Sequence, residues 1–180
     1  MIELLGLAKH TPKRVMLLGG GRTAEILAKS LTSRGVQVVV VERNPERARE
    51  LAEQLENCLV LEGDITDDDL LHEADVGRYE MVVALTGEDD ANILACLFAK
   101  ANGTTETVAV LHRLALLGLL SGAGVDVALS PRTATANGVL RFVRGGVAAV
   151  ATFLHGDAEV LELEVANSSP ADGSLVSELE

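Results

Sequence analysis

Three consecutive glycines, Gly19-Gly20-Gly21, follow the apolar run Arg14-Val15-Met16-Leu17-Leu18 and open a stretch of helical periodicity. With Arg22, Thr23 and Ala24 they fit G-x-G-x-x-G/A, the strand-to-helix turn that holds a pyrophosphate. Each position has a physical reason. Gly19 allows the tight turn, Gly21 lets the backbone approach the phosphates, and the small Ala24 lets the helix pack close to the strand. The phosphates then meet free N–H groups at a helix N-terminus. A glycine turn alone is weak evidence. Here Glu42 stands at the tip of the next apolar run, about twenty residues on, where a carboxylate accepts hydrogen bonds from a ribose. Strand, turn, helix and acid together predict a nucleotide site.

The rest of the chain supplies the fold that such a turn needs. Thr23–Ser33 has helical spacing, with Ala24, Leu27, Ala28 and Leu31 on one face and Gly35 as the stop. Val36–Val41 is a β-branched run of the kind buried on both faces of a parallel sheet. Asn44-Pro45 starts a second helix with Ala48, Leu51, Ala52 and Leu55 as its buried stripe. Strands are expected at Cys58–Leu61, Met81–Leu85, Thr107–Leu111 and Val125–Leu129. Helices are expected from a Thr66 cap to Ala74, over Asp89–Ala101 with Ile93, Leu94, Leu97 and Phe98 as the apolar face, and over the almost wholly apolar Arg113–Leu120. Aromatics are scarce, with no Trp and one Tyr, so the core is aliphatic. The alternation predicts an α/β fold, a Rossmann-like doubly wound parallel sheet of order 3-2-1-4-5-6. Residues 13–130 form this domain. Residues 131–146 are expected as a crossover helix (Thr133–Arg144) and a Gly145-Gly146 hinge. Residues 147–180 are expected as the start of a truncated C-terminal subdomain, with strands Val147–Leu154 and Glu159–Val165 around His155-Gly156-Asp157. A Pro170-Ala171-Asp172-Gly173 turn comes after them.

Charge and composition narrow the function. A formal net charge of −12 repels phosphate backbones, so nucleic acid is not an expected partner. Asp67-Asp68-Asp69 and Glu88-Asp89-Asp90 read as helix starts, where carboxylates complement the dipole; a divalent-cation site is the alternative. Cys58 and Cys96 lack metal-ligand spacing and read as reduced, buried thiols of a cytosolic chain. His10, His72, His112 and His155 are dispersed, and His112 reads as structural. No secretory leader is read, and Leu114–Leu120 is too short to span a bilayer.

Further candidates stand at the carboxyl ends of strands, where such sheets bind ligands. Glu42 favours NAD over NADP, whose 2′-phosphate would face a carboxylate. Arg43 suits a phosphate, stacking on adenine, or plain solvation. Arg22 reaches a phosphate or is an exposed helix start. Asp64 bonds base or ribose, or simply begins its turn. Thr86, with Asn92 one helical turn beyond it, and Arg113 end the fourth and fifth strands.

The chain resembles the RCK (or KTN) family, cytosolic regulators of potassium transporters and channels, and most of all the second of the tandem halves of its Trk-type regulatory subunits. The resemblance is carried by Lys13–Gly21, Val41-Glu42-Arg43-Asn44, Leu59–Asp67, Ala84–Ile93 and Ala128-Leu129-Ser130-Pro131, and runs from about Lys13 to Val165. Ala24 for the usual third glycine and Gly87 for a common Asn depart from the pattern. The resemblance implies ligand contacts at the glycine turn, Glu42, Arg43, Asp64, Thr86 and Arg113. It implies NAD or NADH as ligand, with ATP/ADP as the alternative; some ATP-responsive relatives place an Arg where Arg22 stands. It also implies a Trk-type potassium transporter membrane subunit as partner, self-association into dimers or rings, and a cytoplasmic place at the inner face of the membrane. The N-terminal tandem half is missing, so a fragment or a diverged stand-alone piece is expected.

A dehydrogenase needs a substrate domain and a proton-transfer group beside the nicotinamide. Ser130–Glu180 offers one His and no Cys. A regulatory sensor, not an enzyme, is therefore the expectation. An NAD-dependent oxidoreductase fragment is one alternative. An assembly module that has lost its ligand is another, with Leu97, Phe98 and Leu114–Leu120 as packing surface.

Overall fold

The computed structural model describes residues 12–117, 120, 123–143, 152–154, 158–160, 169, 172 and 173. Strands β1 (Arg14–Leu18), β2 (Gln37–Glu42), β3 (Cys58–Glu62), β4 (Met81–Ala84), β5 (Glu106–Val110) and β6 (Val127–Leu129) alternate with helices α1 (Arg22–Thr32), α2 (Pro45–Gln54), α3 (Asp68–Glu73) and α4 (Asp89–Ala101). The strands form one sheet in the order β3-β2-β1-β4-β5-β6. Every pairing in it is parallel. The expected Rossmann-like order is the one observed.

Strand period explains the two cores. Met16, Leu18, Val39 and Val41 pack on one face of the sheet with Ala95, Cys96 and Ala99 of α4. Val15, Leu17, Val38 and Val40 pack on the other with Ala24 and Ala28 of α1 and Leu51 of α2. Burying one such Leu contributes about 1.5–3 kcal/mol. Register then builds the working edge. Leu18 pairs with Val41 on one side and Ala84 on the other. The glycine turn, Glu42 and the loop after β4 therefore emerge side by side.

Several local expectations change. Ala52 is exposed, and α2 buries only Ala48 and Leu51, with Leu55 just beyond its end. Asp67, not Thr66, caps α3: its carboxylate accepts from the N–H groups of Asp69 and Leu70. Thr66 is taken by the turn at Asp64 instead. Helix α4 has the expected bounds, but its most buried face is not the expected one. It buries Asp89, Asn92, Ala95, Cys96 and Ala99, while Leu94 is 60% exposed. Small side chains let the helix axis approach the sheet, while Ile93, Leu97 and Phe98 are half-buried against the same core. Arg113–Leu120 is not a full helix in its described part, but a 3-10 turn at Leu114–Leu116. The stretch contains Gly118, a poor helix former, and no polar face orients it. Cys58 lies on the edge strand β3 and is half-buried rather than buried.

The chain divides into two compact units at Pro131/Arg132. The second carries most of α5 (Pro131–Val143) and an antiparallel hairpin of β7 (Thr152–Leu154) and β8 (Ala158–Val160). A turn there has the Asp172 N–H donating to the Ser169 carbonyl. The expected Gly145-Gly146 hinge and His155-Gly156-Asp157 connection lie outside the described residues. No helix among the described residues is long and apolar enough to cross a membrane.

Candidate functional site

A cleft of about 390 Å³ opens at the carboxyl ends of β1, β2 and β4. One wall is the glycine turn. The others are Val41-Glu42-Arg43 after β2, Asp64-Ile65 after β3, and Leu85–Glu88 with Ala91 after β4.

The three glycines are glycines for three different reasons. Gly19 has φ +106°, and a Cβ there would lie 2.8 Å from Thr86 Cγ2. Only glycine takes that conformation at low cost. A Cβ on Gly20 would lie 2.5 Å from Leu51 Cδ1 and 2.8 Å from Glu42 Oε2. Gly21 has ordinary extended backbone, and a Cβ there would meet nothing within 4 Å. It is the N-cap of α1, with no side chain satisfying the first-turn N–H groups. Those donors and the positive end of the α1 dipole suit an anion.

Glu42, expected from its position to meet a ribose, is engaged in the fold itself. Its Oε2 accepts from the Gly20 N–H at 2.7 Å, and its Oε1 from the Asn44 N–H at 2.8 Å. It braces the turn and the β2–α2 connection together. A carboxylate has about four lone-pair positions, so room remains for a ribose hydroxyl. Arg43 pairs with Glu88 at 2.9 Å, joining the loops after β2 and β4 at the mouth of the cleft. Asp64 Oδ1 accepts from both the N–H and the hydroxyl of Thr66, and these bonds hold its carboxyl below the usual range.

Thr86 is committed to Asn92. Its hydroxyl and N–H donate to Asn92 Oδ1 at 2.6 and 3.1 Å. Asn92 Nδ2 donates back to the Thr86 carbonyl and on to that of Val110. The fully buried Asn92 thus joins the ends of β4 and β5 behind the cleft.

Gly19, Gly21, Glu42, Arg43, Asp64 and Thr86 are brought together as cleft lining. Arg22, Thr23 and Arg113 are not among the lining residues. The Arg22 side chain is 80% exposed and pairs with Glu25. Arg113 is held by Asp89 and Asp90.

Two buried acids were not singled out from sequence for these roles. Asp89, at the start of α4, accepts from the N–H groups of His112 and Arg113 at 2.8 and 2.9 Å. Burial pushes its carboxyl up, but those donors and the two side chains outweigh it and hold it at about 2. The helix-start reading found the place but not the cross-link to the end of β5. Glu25 is only 3% exposed. Lys29 at 2.8 Å, then Arg47 at 2.9 Å, with Arg22 nearby, hold it at about 2. The i,i+4 spacing to Lys29 was legible; the bond to Arg47 crosses between helices and was not.

The TrkA-N domain family matches residues 15–131. The chain belongs to the TrkA-N family. This TrkA-N chain is 37% identical over 171 residues to the Trk system potassium uptake protein TrkA of Haemophilus influenzae, covering 93% of the chain and 37% of that protein. The chain therefore spans little more than a third of that relative's length. A GsuK channel solved with NAD bound is 26% identical, with a TM-score of 0.61, covering 81% of this TrkA-N chain and 25% of the channel chain. GsuK solved with ADP is 28% identical, with a TM-score of 0.59, covering 67% and 31%.

Proposed function

We propose that this TrkA-N domain binds NAD or NADH in the cleft and regulates potassium uptake through a Trk-type membrane transporter subunit. The observation that carries this reading is the uncapped start of α1 at Gly21, open to a cleft whose facing wall bears Glu42. The pyrophosphate lies against Gly19, Gly21 and the first turn of α1, with Arg22 and Thr23 at its margin. Glu42 takes the ribose hydroxyls, Asp64 and Arg43 flank the adenine, and Thr86 faces the nicotinamide half, with Arg113 behind it. The GsuK structure with NAD supports the ligand class.

Charge favours NAD over ATP. The cleft lining presents three carboxylates, Glu42, Asp64 and Glu88, to one guanidinium, Arg43, and that Arg is already paired. A triphosphate brings more negative charge into this field than a dinucleotide does. The lining carboxylates Glu42, Asp64 and Glu88 are each engaged, with the Gly20 and Asn44 N–H groups, Thr66 and Arg43 respectively, which supports binding rather than proton transfer. NAD⁺ and NADH differ by a charge at the nicotinamide. An assembly responds to that difference only if its conformations bind the two unequally. The domain would act at the inner face of the membrane as part of a dimer or ring.

Thermal unfolding of the purified chain with NAD⁺, NADH, ADP and ATP tests the reading. NAD⁺ or NADH raises the midpoint more than ATP does. ADP raising it most would favour the second reading, an ADP/ATP sensor, which the GsuK structure with ADP supports. No shift with any of the four rejects a nucleotide-sensing role.

A further inference from the structure

We infer that Arg47, anchored by Glu25, is a positioning residue that presets the glycine turn for phosphate; this rests on the nucleotide reading of the cleft. Arg47 lies on α2, outside the cleft lining. Its Nε donates to the Gly20 carbonyl at 2.9 Å, one terminal nitrogen to Glu25 at 2.9 Å, and the other to Glu50 at 2.7 Å. A three-glycine turn has the most backbone freedom a chain can have, so its shape needs an external hold. The Gly19 N–H donates to the Val41 carbonyl at 2.8 Å, and two further bonds hold the Gly20 peptides. Glu42 takes the Gly20 N–H, and Arg47 takes the Gly20 carbonyl.

Peptide planarity gives the second bond its consequence. The Gly20 carbonyl and the Gly21 N–H belong to one trans peptide plane and point in opposite directions. Fixing the carbonyl toward α2 fixes the Gly21 N–H away from α2. Gly21 lines the cleft and has open space around it. Arg47 therefore removes the rotational choice that the Gly20-Gly21 peptide would otherwise have to give up on binding, which is preorganisation. Glu25 is buried and shares its carboxylate among Arg22, Lys29 and Arg47. It locks the guanidinium to α1, the helix that the turn opens. Glu50 is half exposed on the far side.

The effect is specific to the phosphates, and this makes it testable. NAD⁺ uses the turn; adenosine has the same ribose and base but no phosphate. Titration calorimetry is run with both ligands on the native chain and on Arg47→Met, with the unfolding midpoint measured beside it. Arg47→Met should weaken NAD⁺ by roughly tenfold and leave adenosine within about twofold. If Arg47→Met does not fold, Arg47→Lys is used: one ammonium keeps a cation for Glu25 but cannot serve Gly20, Glu25 and Glu50 at once. It should show the same selective loss, smaller in size. Equal loss for both ligands, or no loss for NAD⁺, overturns the positioning role while leaving the cleft reading intact. A native chain that binds neither ligand overturns both.

Discussion

Gly20 and Gly21 are neighbours with opposite surroundings, and that contrast separates folding from binding. A methyl on Gly20 meets Leu51 and Glu42; one on Gly21 meets open space. Gly20→Ala should cost about 1–3 kcal/mol in chemical denaturation through overpacking. Gly21→Ala should leave stability unchanged and weaken NAD⁺ by about tenfold, because it occupies the space a phosphate approaches. The motif was legible in sequence, and so was the conformational need at Gly19. The packing need at Gly20 was not, because it comes from Leu51 on another helix. The buried acids make a second residue-scale prediction. Glu25 and Asp89 sit at about 2 in the folded chain, below the unfolded range near 4. Their contribution is complete above the unfolded values and is lost as pH falls through the folded ones. Stability followed from about pH 6 to about pH 2 should therefore drop most steeply below about pH 4. Asp89→Asn should flatten that fall.

At the scale of the element, α4 shows what periodicity can and cannot say. Its length and bounds were readable from Asp89 to Ala101. Two faces competed, one of Ile93, Leu94, Leu97 and Phe98, the other of Asn92, Ala95, Cys96 and Ala99. Hydrophobicity favours the first. Close approach to a parallel sheet favours the second, and the second is fully buried, while Ile93, Leu97 and Phe98 pack half-buried against the same core. Ala99→Leu should cost about 1–3 kcal/mol in unfolding free energy, while Leu94→Lys should change it by no more than about 0.5 kcal/mol. The reverse result would put Leu94 in the core and Ala99 outside it. In its described part the Arg113–Leu120 segment is a 3-10 turn rather than a helix for a related reason: an apolar stretch with no polar side defines no face, and Gly118 is a poor helix former.

For the whole molecule, strand order was the most legible property. Continuous apolar runs mark the central strands, and right-handed crossovers leave few orders that place a glycine turn at the sheet's carboxyl edge. The site was legible where it follows from that order: the turn, Glu42, Arg43, Asp64 and Thr86 converge because their strands run parallel in register. The bracing by Arg47, Asn92 and Asp89 was not, since it joins side chains between elements whose spacing no local pattern encodes. On the proposed reading, the acid-rich cleft sets the ligand preference and the glycine turn is the place of contact. The most direct test is amide chemical-shift mapping of the ¹⁵N-labelled chain during NAD⁺ titration. The account predicts saturable shifts that are largest at Gly19, Gly20, Gly21 and the first turn of α1, with smaller ones at Arg43 and Thr86. No saturable shift, or shifts centred away from the glycine turn, would contradict it.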